Sequence, residues 1–167
     1  MKLSFKRCTH SILFVLLSMS FLFVSCDKTE ETVGPNSGSP GSGSTYLTFK
    51  VNGVTMDFGQ YNPYGYYYAT NGGTYIDGHP GGFNNPDFEL GFPGKTTGTF
   101  TETSGGWLDY TDASGTDYYY EPSTCTITIT QYGDVDGYIV GTFSATKHSS
   151  SSTATITEGK FSVKRTY

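Results

Sequence analysis

Basic side chains are scarce in this chain: 10 Lys and Arg stand against 15 Asp and Glu among 167 residues, a net charge of −5. Residues 46–167 hold 12 of the acids and only 6 of the bases, and Lys95 is the one Lys or Arg between Asp57 and Asp136. A phosphate backbone needs a cationic track, so nucleic acid is excluded as a partner. Histidine is also sparse, with three in the chain. No Gly-x-Ser-x-Gly elbow is present either, so a triad of the serine-hydrolase kind has no visible parts. Cysteine numbers three, and only Cys125 falls beyond residue 26. That rules out a disulfide framework. No stretch keeps apolar residues at helical spacing, which leaves strands as the default. Finally, long hydrophobic runs are missing except for one near the N-terminus.

That run, Ile12 to Val24, is broken only around Ser18–Ser20 and follows a basic head of Lys2, Lys6 and Arg7. Its 13 residues would reach about 20 Å as a helix, short of a bilayer core of about 30 Å. A basic head, a short apolar middle and small residues at the cut site read as an export signal over residues 1–25. Ser25 precedes Cys26, and Phe23-Val24-Ser25-Cys26 resembles a lipobox, with Phe23 where Leu is commonest. The resemblance implies that Cys26 becomes the acylated first residue of a lipoprotein. The alternative is an ordinary signal peptide with Cys26 incidental. Each buried acyl methylene contributes about 0.8 kcal/mol, so two or more chains would hold the protein to a membrane permanently.

Residues 26–45 then pair the lipidated cysteine with a linker rich in Gly, Ser and Pro that has almost nothing to bury. Its reach as a coil is about 25 Å. Asp27-Lys28-Thr29-Glu30-Glu31 resembles the acidic export signal of surface-exposed lipoproteins in Bacteroidota-type bacteria, which implies an outer-membrane anchor facing outward; under the enterobacterial sorting scheme an Asp beside the cysteine would instead imply inner-membrane retention.

Residues 46–167 read as a single all-β domain, an antiparallel β-sandwich or flattened barrel. Leu47, Phe49 and Val51 alternate with polar residues, Asn52-Gly53 follows, and Val54, Met56 and Phe58 alternate again. A two-residue Asn-Gly loop favours a type I′ hairpin with Val51 opposite Val54, which places all six apolar side chains on one face. Phe88, Leu90 and Phe92 alternate up to Pro93-Gly94, with shorter candidates at 97–101, 107–111 and 118–121. Residues 124–131 alternate Thr with Cys125, Ile127 and Ile129, which puts Cys125 in the core row as an inert thiol. Ile139, Gly141, Phe143 and Ala145 point inward from the next strand. Ile156 and Phe161 share a face only if a residue is extra, and a bulge at Gly159 supplies it. The run Thr-Ile-Thr-Ile-Thr-x-Tyr-Gly, Gly-Tyr-Ile-x-Gly-Thr-Phe-Ser and Thr-Ile-Thr-x-Gly-x-Phe-x-Val, over residues 124–165, resembles small uncharacterised lipoproteins of Bacteroidota-type bacteria. The resemblance implies a lipid-anchored β head and carries no catalytic residues.

No cofactor or metal motif is present. Asp109, Asp112 and Asp117, and Asp134 with Asp136, are acidic turns that calcium could use, although position 12 of an EF-hand begun at Asp134 is Ala145 instead of Glu. His79 and His148 read as turn or solvated residues. Fourteen Tyr exceed what one core face absorbs. Aromatic faces with polar tips suit sugar rings and protein interfaces alike. Trp107, Tyr66, Tyr67, Tyr68, Tyr118 and Tyr120 are the candidate contacts of a binding or accessory module for a glycan or an envelope protein. Packing between sheet and loops is the alternative use of these rings. A glycan hydrolase with Asp109 and Glu121 as its acids is the competing class.

Overall fold

The computed structural model describes residues 43–81 and 85–167. The export signal, Cys26 and most of the linker lie outside the described residues. Eleven strands follow in chain order: β1 (Tyr46–Val51), β2 (Val54–Asp57), β3 (Tyr64–Tyr68), β4 (Gly73–Gly78), β5 (Asp87–Pro93), β6 (Gly98–Thr101), β7 (Trp107–Thr111), β8 (Asp117–Tyr118), β9 (Tyr120–Tyr132), β10 (Tyr138–His148) and β11 (Thr153–Arg165). They form one sheet in the order β6-β9-β10-β11-β3-β4-β5-β7-β8, with β1 lying beside β11 and β2 beside β1. The all-β expectation holds, with two corrections. The sheet is mixed, because β3 joins β11 in parallel at Lys164↔Tyr64 and Arg165↔Gly65. It is also open and does not close into a barrel.

Those two paired positions are the hinge between two wings, one built on β9, β10, β11 and β1, the other on β3, β4, β5 and β7. Ring contacts fold the wings together. Phe88 of β5 sits 4.9 Å from Phe49 of β1 and 5.0 Å from Phe143 of β10, while Phe92 lies 5.1 Å from Phe100 of β6. Each fully buried Phe contributes roughly 1.5–3 kcal/mol, against about 1 kcal/mol for a backbone hydrogen bond. The core, more than the short parallel ladder, therefore holds the wings face to face. Thr74 adds a buried polar tie, its hydroxyl 2.8 Å from that of Tyr132 on the opposite wing.

Local signals place most of these elements. Val51 does face Val54, with Asn52 at φ 50° and Gly53 at φ 84°, as an Asn-Gly I′ turn requires. Leu47, Phe49 and Phe58 are buried, but Val54 is 64 % exposed, so that apolar row runs out of the core at its turn. Cys125, Ile127, Ile129, Ile139, Phe143 and Ala145 are all buried. β11 is continuous through its bulge. Its register against β10 shifts between Gly159 and Ile156, with Glu158 at φ 54°, and both Ile156 and Phe161 face the core. Residues 118–121 are not one strand. Tyr118 pairs with Tyr110 on one wing and Tyr120 with His148 on the other, so the chain crosses between wings at Tyr119.

Candidate binding face

The outer face of the β3-β4-β5-β7 wing carries the candidate site. On β3, Gly65 turns inward, where a Cβ would meet Ile139 at 2.8 Å, and alternation sends Tyr64 and Tyr66 outward. Register then lines up one row across four strands: Tyr66 opposite Tyr75, Tyr75 opposite Gly91, and Gly91 opposite Trp107. Tyr66 and Tyr75 are stacked at 5.2 Å with planes 11° apart, and Tyr75 meets the Trp107 indole edge-on at 5.7 Å. Tyr64 and Tyr167 flank Tyr66 at 5.9 and 5.3 Å. All these rings but the exposed Tyr167 are half-buried, supported beneath and open above.

Two residues along the strands runs a second row: Tyr64, Asp77, Glu89 and Asp109, again directly opposed. Asp87 and Asp117 continue the acidic side beyond it. Tyr64 donates its hydroxyl to Asp77 at 3.1 Å, and Thr111 donates to Asp117 at 2.6 Å. His79 lies 3.6 Å from Asp77, and the buried Lys147 of β10 reaches within 3.8 Å of Asp109. Burial raises the pKa of Asp77 and of Asp109, and the cations beside them hold each down in part. Glu89 sits between the two. Burial first, then the charges of Asp77, Asp87 and Asp109, push it from 4.5 up to about 7, partly offset by a hydrogen bond from Tyr66.

Two clefts open along this face. One of about 260 Å³ is lined by Asp87, Glu89, Asp109 and Asp117 and walled by Tyr118 and Tyr119. The other, about 180 Å³, lies between Tyr75, Trp107, Asn71 and Pro93. A third, of about 200 Å³, is a hydroxyl-lined patch on the other wing around Thr124, Thr126, Ser144 and Thr146.

Of the residues expected to make contacts, the structure brings Trp107 and Tyr66 into one row. Tyr68 shares their side of β3 at its far end and is 51 % exposed. Tyr67 faces the opposite way under Lys95, whose Nζ lies 4.7 Å from its ring centre. Tyr118 stacks on Tyr110 at 5.7 Å and joins the acidic cleft. Tyr120 stands apart, stacked on Tyr119 at 4.6 Å. Glu121 does not line the cleft that holds Asp109. Tyr64, Tyr75, Tyr167, Asp77 and Glu89 were not singled out by sequence.

Elsewhere, Asp112 is occupied by its own turn: burial raises its pKa, but hydrogen bonds accepted from the Ser114 hydroxyl and from the Thr116 and Ser114 backbones outweigh it and lower the pKa. Asp136 pairs with Lys164 at 2.8 Å. Among the described residues, no group of three or more acid, His or Cys side chains is placed to hold a metal ion. No family model matches this chain, and no known protein of curated function or solved structure matches it either.

Proposed function

We propose that this chain is a lipid-anchored envelope protein, held by Cys26 at the outer membrane and facing outward, whose β domain binds carbohydrate without catalysis. The observation that carries the reading is the in-register strip Tyr66-Tyr75-Trp107 beside the row Asp77-Glu89-Asp109. Sugar rings present apolar C–H faces that stack on such rings, and their hydroxyls donate to carboxylates. The linker over residues 26–45 suits a head that must search for a polymer away from the membrane.

A glycan array probed with the full chain in detergent tests the reading. Binding to at least one polysaccharide, lost in Trp107→Ala with the fold intact, is the expected result. A blank array at millimolar glycan would overturn it.

Hydrolysis is the second reading, with Glu89 taking the place of Glu121. Glu89 directly opposes Asp109, and its pKa near 7 suits a general acid. Directly opposed strand residues hold their Cβ atoms about 4.5–5.5 Å apart, compatible with the close carboxyl pair of a retaining glycosidase. Release of reducing ends from a bound glycan, abolished by Glu89→Gln, would establish it over simple binding.

A further inference from the structure

We propose that the saccharide taken by this face carries a protonated amine, as in an oligomer of deacetylated hexosamine, with sugar rings on the Tyr66-Tyr75-Trp107 strip and an ammonium group between Glu89 and Asp109. The inference rests on the carbohydrate reading and specifies its ligand class. Its basis is the distribution of donors, acceptors and charge around the strip.

Five carboxylates share the face: Asp77 from β4, Asp87 and Glu89 from β5, Asp109 from β7 and Asp117 from β8. Against them stand the Lys147 ammonium beside Asp109 and the imidazole of His79 beside Asp77. Three hydroxyls of the face are already turned to its own carboxylates. Tyr64 donates a hydrogen bond to Asp77, Tyr66 to Glu89, and Thr111 to Asp117. A neutral sugar brings hydroxyls that need acceptors and donors in similar measure, and this face returns mostly acceptors. A uronic or sulfated sugar would meet like charge. An ammonium group brings three donors and a positive charge, which this arrangement can use.

The spacing agrees. The aromatic and acidic rows lie two residues apart along each strand, about 6.6–6.8 Å. A substituent on a ring stacked over one row therefore overhangs the other. Glu89 is the member most crowded by like charge, so a cation beside it relieves that crowding and expels a proton. Binding near neutral pH should release protons, which stacking alone would not do.

Calorimetry on the full chain in detergent, at about pH 6 and low salt, tests this with a glucosamine oligomer, its N-acetylated counterpart, a cello-oligosaccharide, an oligogalacturonate and oligolysine. The glucosamine oligomer should bind at least about tenfold more tightly than either neutral oligomer, weaken with salt and release protons, and the oligogalacturonate should not bind. Glu89→Gln with Asp109→Asn, near-isosteric changes, should erase the preference, bringing the glucosamine oligomer's affinity down to that of the neutral oligomers and abolishing the proton release. Equal or tighter binding of the neutral oligomers would overturn this inference and leave the carbohydrate reading standing. No binding of any saccharide would overturn both. Oligolysine binding as tightly, and unaffected by Trp107→Ala, would show a polycation patch and overturn the amino-sugar assignment.

Discussion

Trp107 lies where a side chain on Gly91 would stand. A Cβ built at residue 91 would sit 2.4 Å from Trp107 Nε1, so the bare backbone of β5 is the bed on which the indole rests. Trp107 is the only tryptophan in the chain, and its emission therefore reports this site alone. Gly91→Ala should push the indole off the strip, change the emission maximum, and weaken glycan binding by about tenfold or more, a loss of about 1.4 kcal/mol. Unchanged emission and affinity would mean that the indole's position is immaterial to binding.

Glu89 makes stability depend on pH in a direction that can be worked out. Its folded pKa is raised, from 4.5 to about 7, so the folded state holds the proton more tightly than the unfolded chain does. The stability this contributes is fully present below pH 4.5 and is lost as pH rises through 7. Glu89→Gln removes the charge and keeps the shape. The variant should match the parent near pH 4 and exceed its Tm near pH 8 by about 2–4 °C, allowing for the screening of a half-exposed group. A Tm difference that is the same at both pH values would show that Glu89 is not crowded by its neighbours.

The strip and the acidic row form a pattern across strands that no single strand reveals. Tyr75-Ile76-Asp77 and Trp107-Leu108-Asp109 read ring, core, acid, while Glu89-Leu90-Gly91 reads acid, core, gap in the reverse direction, as an antiparallel neighbour must. Recognising this needs the register of β4, β5 and β7, which is set by distant packing such as Phe88 against Phe49 and Phe143. Choosing contacts from the Tyr runs also took in Tyr67, which alternation turns away from Tyr66, and Tyr120, which the crossing at Tyr119 carries to the other wing. By contrast, the β1–β2 hairpin and the facing of Cys125 depend only on neighbours in sequence, and there the local pattern was enough. The parallel join of β3 to β11 has no local signature at all.

Cys125 illustrates that local rule and gives a direct check on the core. It is 3 % exposed, and burial followed by the neighbouring Glu102 pushes its thiol up to about 12. The thiolate is the reactive form, so at pH 8 almost none is present. Labelling by an aromatic disulfide reagent should be negligible in the native protein and complete on denaturation. Fast native labelling would show that β9 presents this position to solvent.

The anchor can be tested independently of any ligand. The proposed acylation would use the sulfur of Cys26, and Cys125 is no substitute because it is buried in the folded domain. Cys26→Ala should leave the precursor at its full length, abolish incorporation of labelled fatty acid, and leave the 46–167 head with the same melting behaviour. Cys125→Ala should still take up the label. Fatty-acid incorporation that persists in Cys26→Ala would move the attachment elsewhere and remove the reason for reading residues 26–45 as a tether. A head whose melting shifted with the cysteine would instead mean that these residues pack on the domain, which their Gly-, Ser- and Pro-rich composition argues against.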